Sequence, residues 1–163
     1  MPTLIQCTQK LLAKVPDRLM DMAISGERWH ANLLRIERHQ CVLFTHDASL
    51  YSVFIPGTKK PEFERLDEVF GQRLFKALVW DEFPPTQIET LLEALRLVRC
   101  TRTSNRSVLG SMNDLRINIE AEVEYCGGLA NVDLVHLHHR LNRIPLSAID
   151  YQYAVVRLQE YLA

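Results

Sequence analysis

The sequence has little of what marks several large classes of protein. It contains no run of about 18 consecutive apolar residues, and its N-terminus lacks a charged segment followed by a long apolar one, so we expect neither a membrane span nor a secretory leader. Only six glycines are present, and the motifs G-x-x-x-x-G-K-[ST], G-x-G-x-x-G and G-x-S-x-G are all missing. These absences predict a cytoplasmic protein with no cofactor, no membrane contact and no familiar phosphate-binding loop or nucleophile elbow.

Cysteine is also scarce. The four cysteines are far apart and form no C-x-x-C pair: Cys7, Cys41, Cys100 and Cys126. Most of them lie in apolar stretches, so in a cytoplasmic protein we expect reduced, mostly buried thiols instead of disulfides or a zinc site.

The remaining composition is that of an ordinary globular domain. Hydrophobic residues make up 47% of the 163 residues and charged residues 24%, so we expect a single domain over residues 1–163. The 19 basic and 20 acidic residues leave a net charge of −1, which argues against a globally basic nucleic-acid-binding protein. Any basic site must therefore be a local patch.

Apolar periodicity predicts an α+β fold. Alternating residues over 29–55 predict a three-strand antiparallel meander, and short strands are expected at 4–7 and 97–103. Apolar residues spaced by three and four predict helices over residues 8–15, 61–77, 86–95, 104–127, 130–144 and from 147 onward. Because the middle strands are clustered instead of alternating with helices, we expect about five mostly antiparallel strands packed against about six helices.

Cap residues set the expected helix ends. Pro61 suits a first helical turn, and Gly127 supplies a stop. N-terminal caps are expected at Thr8, Thr86, Ser104 and Ser147.

Several stretches resemble a known family. They are Ile5-Gln6-Cys7-Thr8-Gln9-Lys10-Leu11-Leu12, Trp29-His30-Ala31-Asn32-Leu33, Cys41-Val42-Leu43-Phe44-Thr45, Asn105-Arg106-Ser107-Val108-Leu109-Gly110-Ser111-Met112-Asn113-Asp114 and Leu141-Asn142-Arg143-Ile144-Pro145. The stretch that starts at Asn105 is the most specific of them. Together they resemble a family of uncharacterised bacterial proteins, a domain of unknown function that is sometimes found near mobile elements. The resemblance spans most of the chain and implies no reaction, cofactor or catalytic residue.

Basic residues are concentrated between residues 96 and 116. Five arginines fall there against a single acid, Asp114, whereas residues 57–95 carry an excess of acids. We expect Arg102 at the end of a strand and Arg106 in the first turn of a helix, beside backbone N–H groups that attract anions. Together with Arg99 they form a candidate site for a phosphate or a carboxylate. The alternative is that these arginines pair with the acidic helices of the same fold.

A second candidate lies on the predicted helix over residues 130–144. His136, His139, Arg140 and Arg143 share one face of this helix, because offsets of three, four and seven residues return to the same side. This strip is either a contact for an acidic partner or nucleic-acid backbone, or a solvated polar face. No metal site is predicted, because the nearest acid, Asp133, lies on another side of the helix.

Two other patterns allow an enzymatic interpretation. Ser107, Ser111 and Asp114 lie on one face of the long helix, where Asp114 could act as a base and a serine as a nucleophile. Close packing against another element accounts for these small polar residues equally well. Trp29 and His30 open the meander and are interpreted as structural residues.

The sequence therefore favours a protein that binds another macromolecule without turnover, with a protein as the expected partner. One version of this function is a modulator of a host or defence complex, which only the resemblance suggests. Two alternatives stay open: a nucleic-acid-binding protein that uses the arginine cluster, and an enzyme with an active site between the sheet and the long helix.

Overall fold

A computed structural model describes residues 3–15, 26–103 and 105–163 of the chain. These residues form five strands: β1 (Thr3–Cys7), β2 (Arg28–Ile36), β3 (His39–His46), β4 (Ser52–Ile55) and β5 (Val98–Arg102). They also form seven α-helices: α1 (Gln9–Leu12), α2 (Lys60–Glu64), α3 (Leu66–Trp80), α4 (Pro85–Ala94), α5 (Arg106–Cys126), α6 (Leu134–Leu141) and α7 (Ala154–Leu162). Short 3₁₀ turns at Leu129–Asn131 and Ser147–Ile149 flank α6.

The fold is α+β, as predicted, but the sheet is mixed. Its strand order is β4-β3-β2-β1-β5, in which β2, β3 and β4 form the expected antiparallel meander. Strand β1 lies between β2 and β5 and runs parallel to both. The prediction of mostly antiparallel strands is wrong. Parallel pairing joins segments that are far apart in the chain, such as Gln6 and Thr101, and no local turn sequence indicates such a pairing.

Helices cover both faces of the sheet. Phe70 of α3 stacks on Phe44, with ring centroids 4.0 Å apart, and meets the edge of Trp29 at 4.9 Å. On the other face, α5 packs along β2 and lies beside Asn32, whose side chain alternates with that of Trp29. The apolar residues whose spacing predicted a helix over 104–127 form a buried stripe on α5: Val108, Met112, Leu115, Ile119 and Val123.

The ends of the first predicted helices differ from the structure. The single helix expected over residues 61–77 is two helices, because the backbone leaves helical geometry at Arg65, where φ is −128°. Pro61 does occupy the first turn of α2, as predicted. Helix α4 begins at Pro85 with no side-chain cap, so the cap predicted at Thr86 is wrong.

The later helix ends agree with the predictions only in part. Gly127 ends α5 in a left-handed conformation with φ of 80°, as predicted. The N-cap of α5 is Asn105, while the predicted cap Ser104 lies outside the described residues. Ser147 starts only a 3₁₀ turn, which a left-handed Asp150 with φ of 55° terminates, so the last helix begins at Ala154.

All four cysteines are free thiols. Cys7 and Cys41 are buried, whereas Cys100 and Cys126 are partly exposed. A hydrogen bond with the Cys100 thiol, together with burial, raises the pKa of Cys7 well above its usual range. Cys7 therefore stays an uncharged thiol inside the core. Among the described residues, no helix combines the length and the apolar character that crossing a bilayer requires.

Helix α6 closes the edge of the sheet at β4. The side chain of Asn142 accepts the Ser52 N–H at 2.7 Å and donates to the Ser52 carbonyl at 3.0 Å. One helical turn earlier, His138 Nε2 accepts the Phe54 N–H at 2.9 Å. Two side chains of a helix thus satisfy backbone groups that a neighbouring strand would otherwise have to pair.

This contact requires a neutral His138. Its Nε2 accepts from Phe54, so the proton of the ring is on Nδ1, which donates to the Leu134 carbonyl at 2.8 Å. Burial lowers the pKa of His138 below its usual 6.5, while the Leu134 carbonyl and Asp81 act in the opposite sense.

We expect the free energy of unfolding to fall as the pH falls below about 6.5. Below this pH, His138 is protonated in the unfolded chain but stays neutral in the folded chain. The free energy of unfolding therefore falls by up to ~1.4 kcal/mol per pH unit until the pKa of His138 in the folded chain is reached. Urea unfolding at several pH values between about 7.5 and 5 measures this slope. His138→Gln keeps an acceptor for Phe54 and should flatten the slope; an equally steep slope in that variant would contradict the assignment.

The stripe of α5 generates a second expectation. Leu115 is 0% exposed, so Leu115→Ala should lower the free energy of unfolding by ~2–5 kcal/mol through lost burial and the cavity left behind. Ile117 on the same helix is 52% exposed, and Ile117→Ala should change it by less than ~0.5 kcal/mol. Chemical denaturation of both variants checks the difference, and equal losses would contradict the assigned orientation of α5.

Candidate functional site

Three of the predicted binding residues surround the turn between β5 and α5. Arg99 is partly buried, and its Nη1 donates to the Val98 carbonyl at 3.4 Å. Arg102 ends β5, Arg106 begins α5, and both are exposed. Neither of these two forms an ion pair with any residue that the structure describes. Internal pairing with the acidic helices therefore does not account for them within the described part of the chain.

The cap of α5 modifies the predicted anion site. Asn105 Oδ1 accepts the N–H groups of Ser107 at 3.0 Å and Val108 at 3.2 Å. Two of the backbone donors that were expected to be free are therefore occupied. What attracts an anion here is the positive end of the α5 dipole, together with the guanidinium groups of Arg102 and Arg106.

The predicted strip on α6 is engaged internally, first through Glu122 of α5. Arg140 Nη1 donates to Glu122 Oε2, and His136 Nε2 lies 3.9 Å from Oε1 of the same carboxylate. The Glu122 side chain is only 9% exposed. A carboxylate removed from water to this degree needs a cationic partner, and Arg140 supplies it.

The other half of the strip contacts Asp81. Arg143 Nη1 donates to Asp81 Oδ1 at 3.0 Å, and His139 Nδ1 lies 3.9 Å from the same oxygen. The hydroxyl of Tyr51 donates to Asp81 Oδ2 at 2.7 Å. Burial, followed by the nearby Asp81 carboxylate, raises the pKa of Tyr51 well above its usual 10.0. This half of the strip therefore joins α6 to the end of α3.

The fold separates the two predicted groups. Arg102 and Arg106 lie at the β5 edge of the sheet, whereas α6 covers the β4 edge. Three strands lie between these edges, and neighbouring strands are about 4.8 Å apart. The arginine cluster and the strip on α6 therefore do not form one surface.

A cleft with several cations opens between α1, β2 and α5. We call it the basic cleft; its lining residues are Thr8, Gln9, Lys10, Asn32, Leu33, Leu34, Arg35, Arg116 and Glu120. Three cations line it against one carboxylate, and Arg116 Nη1 donates to that carboxylate, Glu120, at 2.7 Å. Arg106 lies two helical heptads before Glu120 and so on the same side of α5. The basic cleft thus leads toward the turn that carries Arg102 and Arg106.

A chain of three side chains lies beneath that turn. His30 Nδ1 is 2.7 Å from Asp47 Oδ1, and His30 Nε2 is 2.6 Å from Thr103 Oγ1. A carboxylate only accepts hydrogen bonds, so Nδ1 donates to Asp47; in the neutral ring Nε2 then accepts from the Thr103 hydroxyl. Gln6 donates to the second Asp47 oxygen at 2.8 Å, and the Asn105 N–H donates to Thr103 Oγ1 at 3.2 Å.

A second chain that also joins a carboxylate, a histidine and a hydroxyl lies one strand away. His46 Nε2 is 2.8 Å from Glu27 Oε2, and His46 Nδ1 is 2.9 Å from Ser49 Oγ. Its hydroxyl differs from Thr103 in exposure: Ser49 is fully buried, whereas Thr103 is partly exposed. The hydroxyl of the first chain therefore lies on a residue that solvent partly reaches, and that of the second chain on a residue that solvent does not reach.

The serine and acid pattern predicted on α5 does not assemble into a site. Ser107 and Asp114 are exposed, Ser111 is buried, and among the described residues no histidine hydrogen-bonds to Asp114. Nor does the described part of the chain contain a cluster of three or more histidine, cysteine or acidic side chains that could hold a metal ion.

The sequence patterns missed Asp47 and Thr103, and they gave His30 only a structural role. Asp47 and Thr103 are 17 and 73 residues from His30 in the chain. The contact between His30 and Thr103 depends on the parallel pairing of β1 with its two neighbours, whereas the contact between His30 and Asp47 depends on the antiparallel pair of β2 and β3. One weak signal was present: a carboxylate in a turn and a hydroxyl directly after a strand, which are positions where polar side chains meet at the end of a sheet.

Comparison with known proteins gives one match. A family model described as "Domain of unknown function (DUF6933)" matches residues 4–156. Comparison with curated proteins and with solved structures gave no match.

The Asp47–His30–Thr103 chain generates a stability prediction. Thr103→Val removes the hydroxyl that pairs with His30 Nε2, and His30 is 0% exposed. The ring nitrogen is then left unsatisfied, which should lower the free energy of unfolding by ~1–3 kcal/mol. Urea denaturation measures the loss. Thr101→Val, two residues earlier on β5, is the matched control, and an equal effect of both substitutions would count against the paired hydroxyl.

Proposed function

Since the chain belongs to a family described only as a domain of unknown function, DUF6933, we propose its function from geometry: it binds an acidic segment of a protein. The surface that binds is the turn carrying Arg102 and Arg106, together with the basic cleft. The observation that carries this proposal is the exposure of two arginines that have no ion-pair partner among the described residues.

The two basic groups of the molecule differ in whether their arginines already form ion pairs. Arg140 and Arg143 neutralise Glu122 and Asp81, and a partner would have to compete with these buried carboxylates. Arg102 and Arg106 form no ion pair with any residue that the structure describes. This contrast supports the β5 edge over the α6 strip as the binding surface.

Electrostatics around the turn favour an anionic ligand. The positive end of the α5 dipole coincides with Arg106, and the basic cleft adds Lys10, Arg35 and Arg116 against Glu120 alone. On a molecule whose net charge is −1, this local excess of positive charge steers an acidic partner toward one region of the surface.

A protein partner is favoured over nucleic acid by what lines the cleft. Single-stranded nucleic acids are held largely by stacking of bases on aromatic side chains, and none of the residues that line the basic cleft is aromatic. Carboxylates need only cations and hydrogen-bond donors, which Lys10 and Arg35 provide. Nucleic-acid binding through the arginine cluster is the second candidate.

We place this binding in the cytoplasm. The family resemblance suggests a setting among bacterial mobile elements, where an acidic surface of a host or defence complex is one partner of the required chemistry. The protein would then act as a modulator of that complex by occupying its acidic surface.

Charge reversal tests the binding surface. A fluorescent polyglutamate peptide should bind the wild-type protein with an affinity that falls as salt rises from about 50 to about 200 mM. Arg102→Glu combined with Arg106→Glu should weaken this binding by about tenfold at the lower salt concentration, because two attractions become repulsions. Fluorescence anisotropy measures both effects, and thermal unfolding confirms that the variant is folded.

The control is Arg38→Glu combined with Lys76→Glu, which changes the net charge equally at two exposed positions on the β2–β3 turn and on α3. It should leave peptide affinity within about twofold of wild type. Equal losses in both double variants would reduce the proposal to a net-charge effect and so contradict it. Tighter binding of a single-stranded oligonucleotide than of the peptide would favour the second candidate.

A further inference from the structure

The Asp47–His30–Thr103 chain has the order of groups that activates a hydroxyl. The Asp47 carboxylate fixes the proton of His30 on Nδ1 and leaves Nε2 to accept the Thr103 proton at an Oγ–N distance of 2.6 Å. We propose that Thr103 is the nucleophile of an acyl-transfer site, with His30 as its general base and Asp47 as the residue that orients the base.

Exposure distinguishes this chain from its neighbour. His30 is 0% exposed and the Asp47 side chain 19% exposed, so the base and its partner are shielded, whereas Thr103 as a residue is partly exposed. In the Glu27–His46–Ser49 chain the hydroxyl belongs to a residue that is fully buried. The same three kinds of group therefore carry their hydroxyl on a partly exposed residue at Thr103 and on a fully buried residue at Ser49.

The surroundings of Thr103 suit the charge that develops during acyl transfer. Thr103 lies two residues before the N-cap Asn105, so the positive end of the α5 dipole is beside it. Negative charge that forms on an attacked carbonyl oxygen is stabilised at such a position. Arg102 precedes Thr103 and Arg106 follows it by three residues, which selects a carboxylic ester that itself carries an anionic group.

The reaction is hydrolysis of that ester in two steps. Thr103 Oγ forms a bond to the carbonyl carbon, its proton passes to His30 Nε2, and the bond to the leaving alkoxide breaks as that oxygen takes the proton from His30. Water then attacks the acyl-threonine, giving one proton to His30, and Thr103 recovers it as the carboxylic acid departs. Asp47 stays ionised throughout and stabilises the imidazolium that forms in each step.

The assignment of the nucleophile stands without the partner-binding proposal. Only the preference for an anionic ester rests on Arg102 and Arg106, the arginines that the proposed function also uses. The experiment needs the isolated protein alone, so its outcome and that of the peptide titration are independent.

The test uses mono-4-nitrophenyl succinate as the anionic ester and 4-nitrophenyl acetate as the neutral one. Release of nitrophenolate is followed by absorbance, and the acylated residue is located by peptide mass spectrometry. Wild-type protein should carry the acyl group on Thr103 and react faster with the anionic ester. Thr103→Val and His30→Gln should each lower the rate by about 100-fold.

Matched variants separate chemistry from folding. Thr103→Ser keeps a hydroxyl and should retain both turnover and the adduct, while Ser49→Ala, in the buried chain, should leave the rate within about twofold of wild type if it folds. Arg102→Gln combined with Arg106→Gln should remove the preference for the anionic ester, so that its rate falls to about that of the acetate. Absence of an adduct on Thr103 in folded wild-type protein, or an unchanged rate in Thr103→Val, would overturn the proposal.

Discussion

A polar group taken out of water must find a hydrogen-bond partner, and this requirement organises the sheet of this protein. One row of polar side chains crosses all five strands in register: Thr101, Gln6, His30, Thr45 and Ser52. The last three are completely buried. Thr45 and Ser52 pair with each other at 2.9 Å, and His30 bonds outward to Asp47 and Thr103. Because the partners come from turns at the ends of other strands, the row also fixes those turns.

The same row makes the register of the strands costly to change. A slip of one residue between β2 and β3 would turn His30 toward the face on which Trp29 meets Phe70, among apolar rings with no partner for its nitrogens. Specificity of pairing here comes from buried polar groups, while the apolar residues on both faces supply most of the favourable free energy.

Local patterns predicted the parts of this fold that depend on local interactions. The meander over residues 29–55 and the buried stripe of α5 follow from alternation and from spacing by three and four. The insertion of β1 between β2 and β5 depends on pairing across 24 and 95 residues, as between Gln6 and its neighbours His30 and Thr101, and periodicity carries no information about such neighbours. Helix α4 begins at Pro85, with Pro84 at its N-cap position, so the predicted cap Thr86 lies inside the helix.

The candidate site shows the same division. Arg102 and Arg106 were identified correctly as residues at a strand end and a helix start, because both features are local. The engagement of Arg140 with Glu122 and of Arg143 with Asp81 crosses 18 and 62 residues, so the sequence alone allowed a free strip where the structure has ion pairs. His30 was interpreted as a structural residue, and its partners Asp47 and Thr103 became visible only in three dimensions.

The two edges of the sheet are treated in opposite ways, and this has a consequence for self-association. At β4 the outward backbone groups of Ser52 and Phe54 are occupied by side chains of Asn142 and His138, so another chain cannot add a strand there without displacing α6. At the other edge, β5 pairs with β1 alone among the described strands, and it carries arginines at positions 99 and 102. Two copies that approached through this edge would bring like charges together, which opposes growth into stacked sheets at high concentration. The arginines of β5 therefore oppose edge-to-edge aggregation, independently of any ligand that they bind.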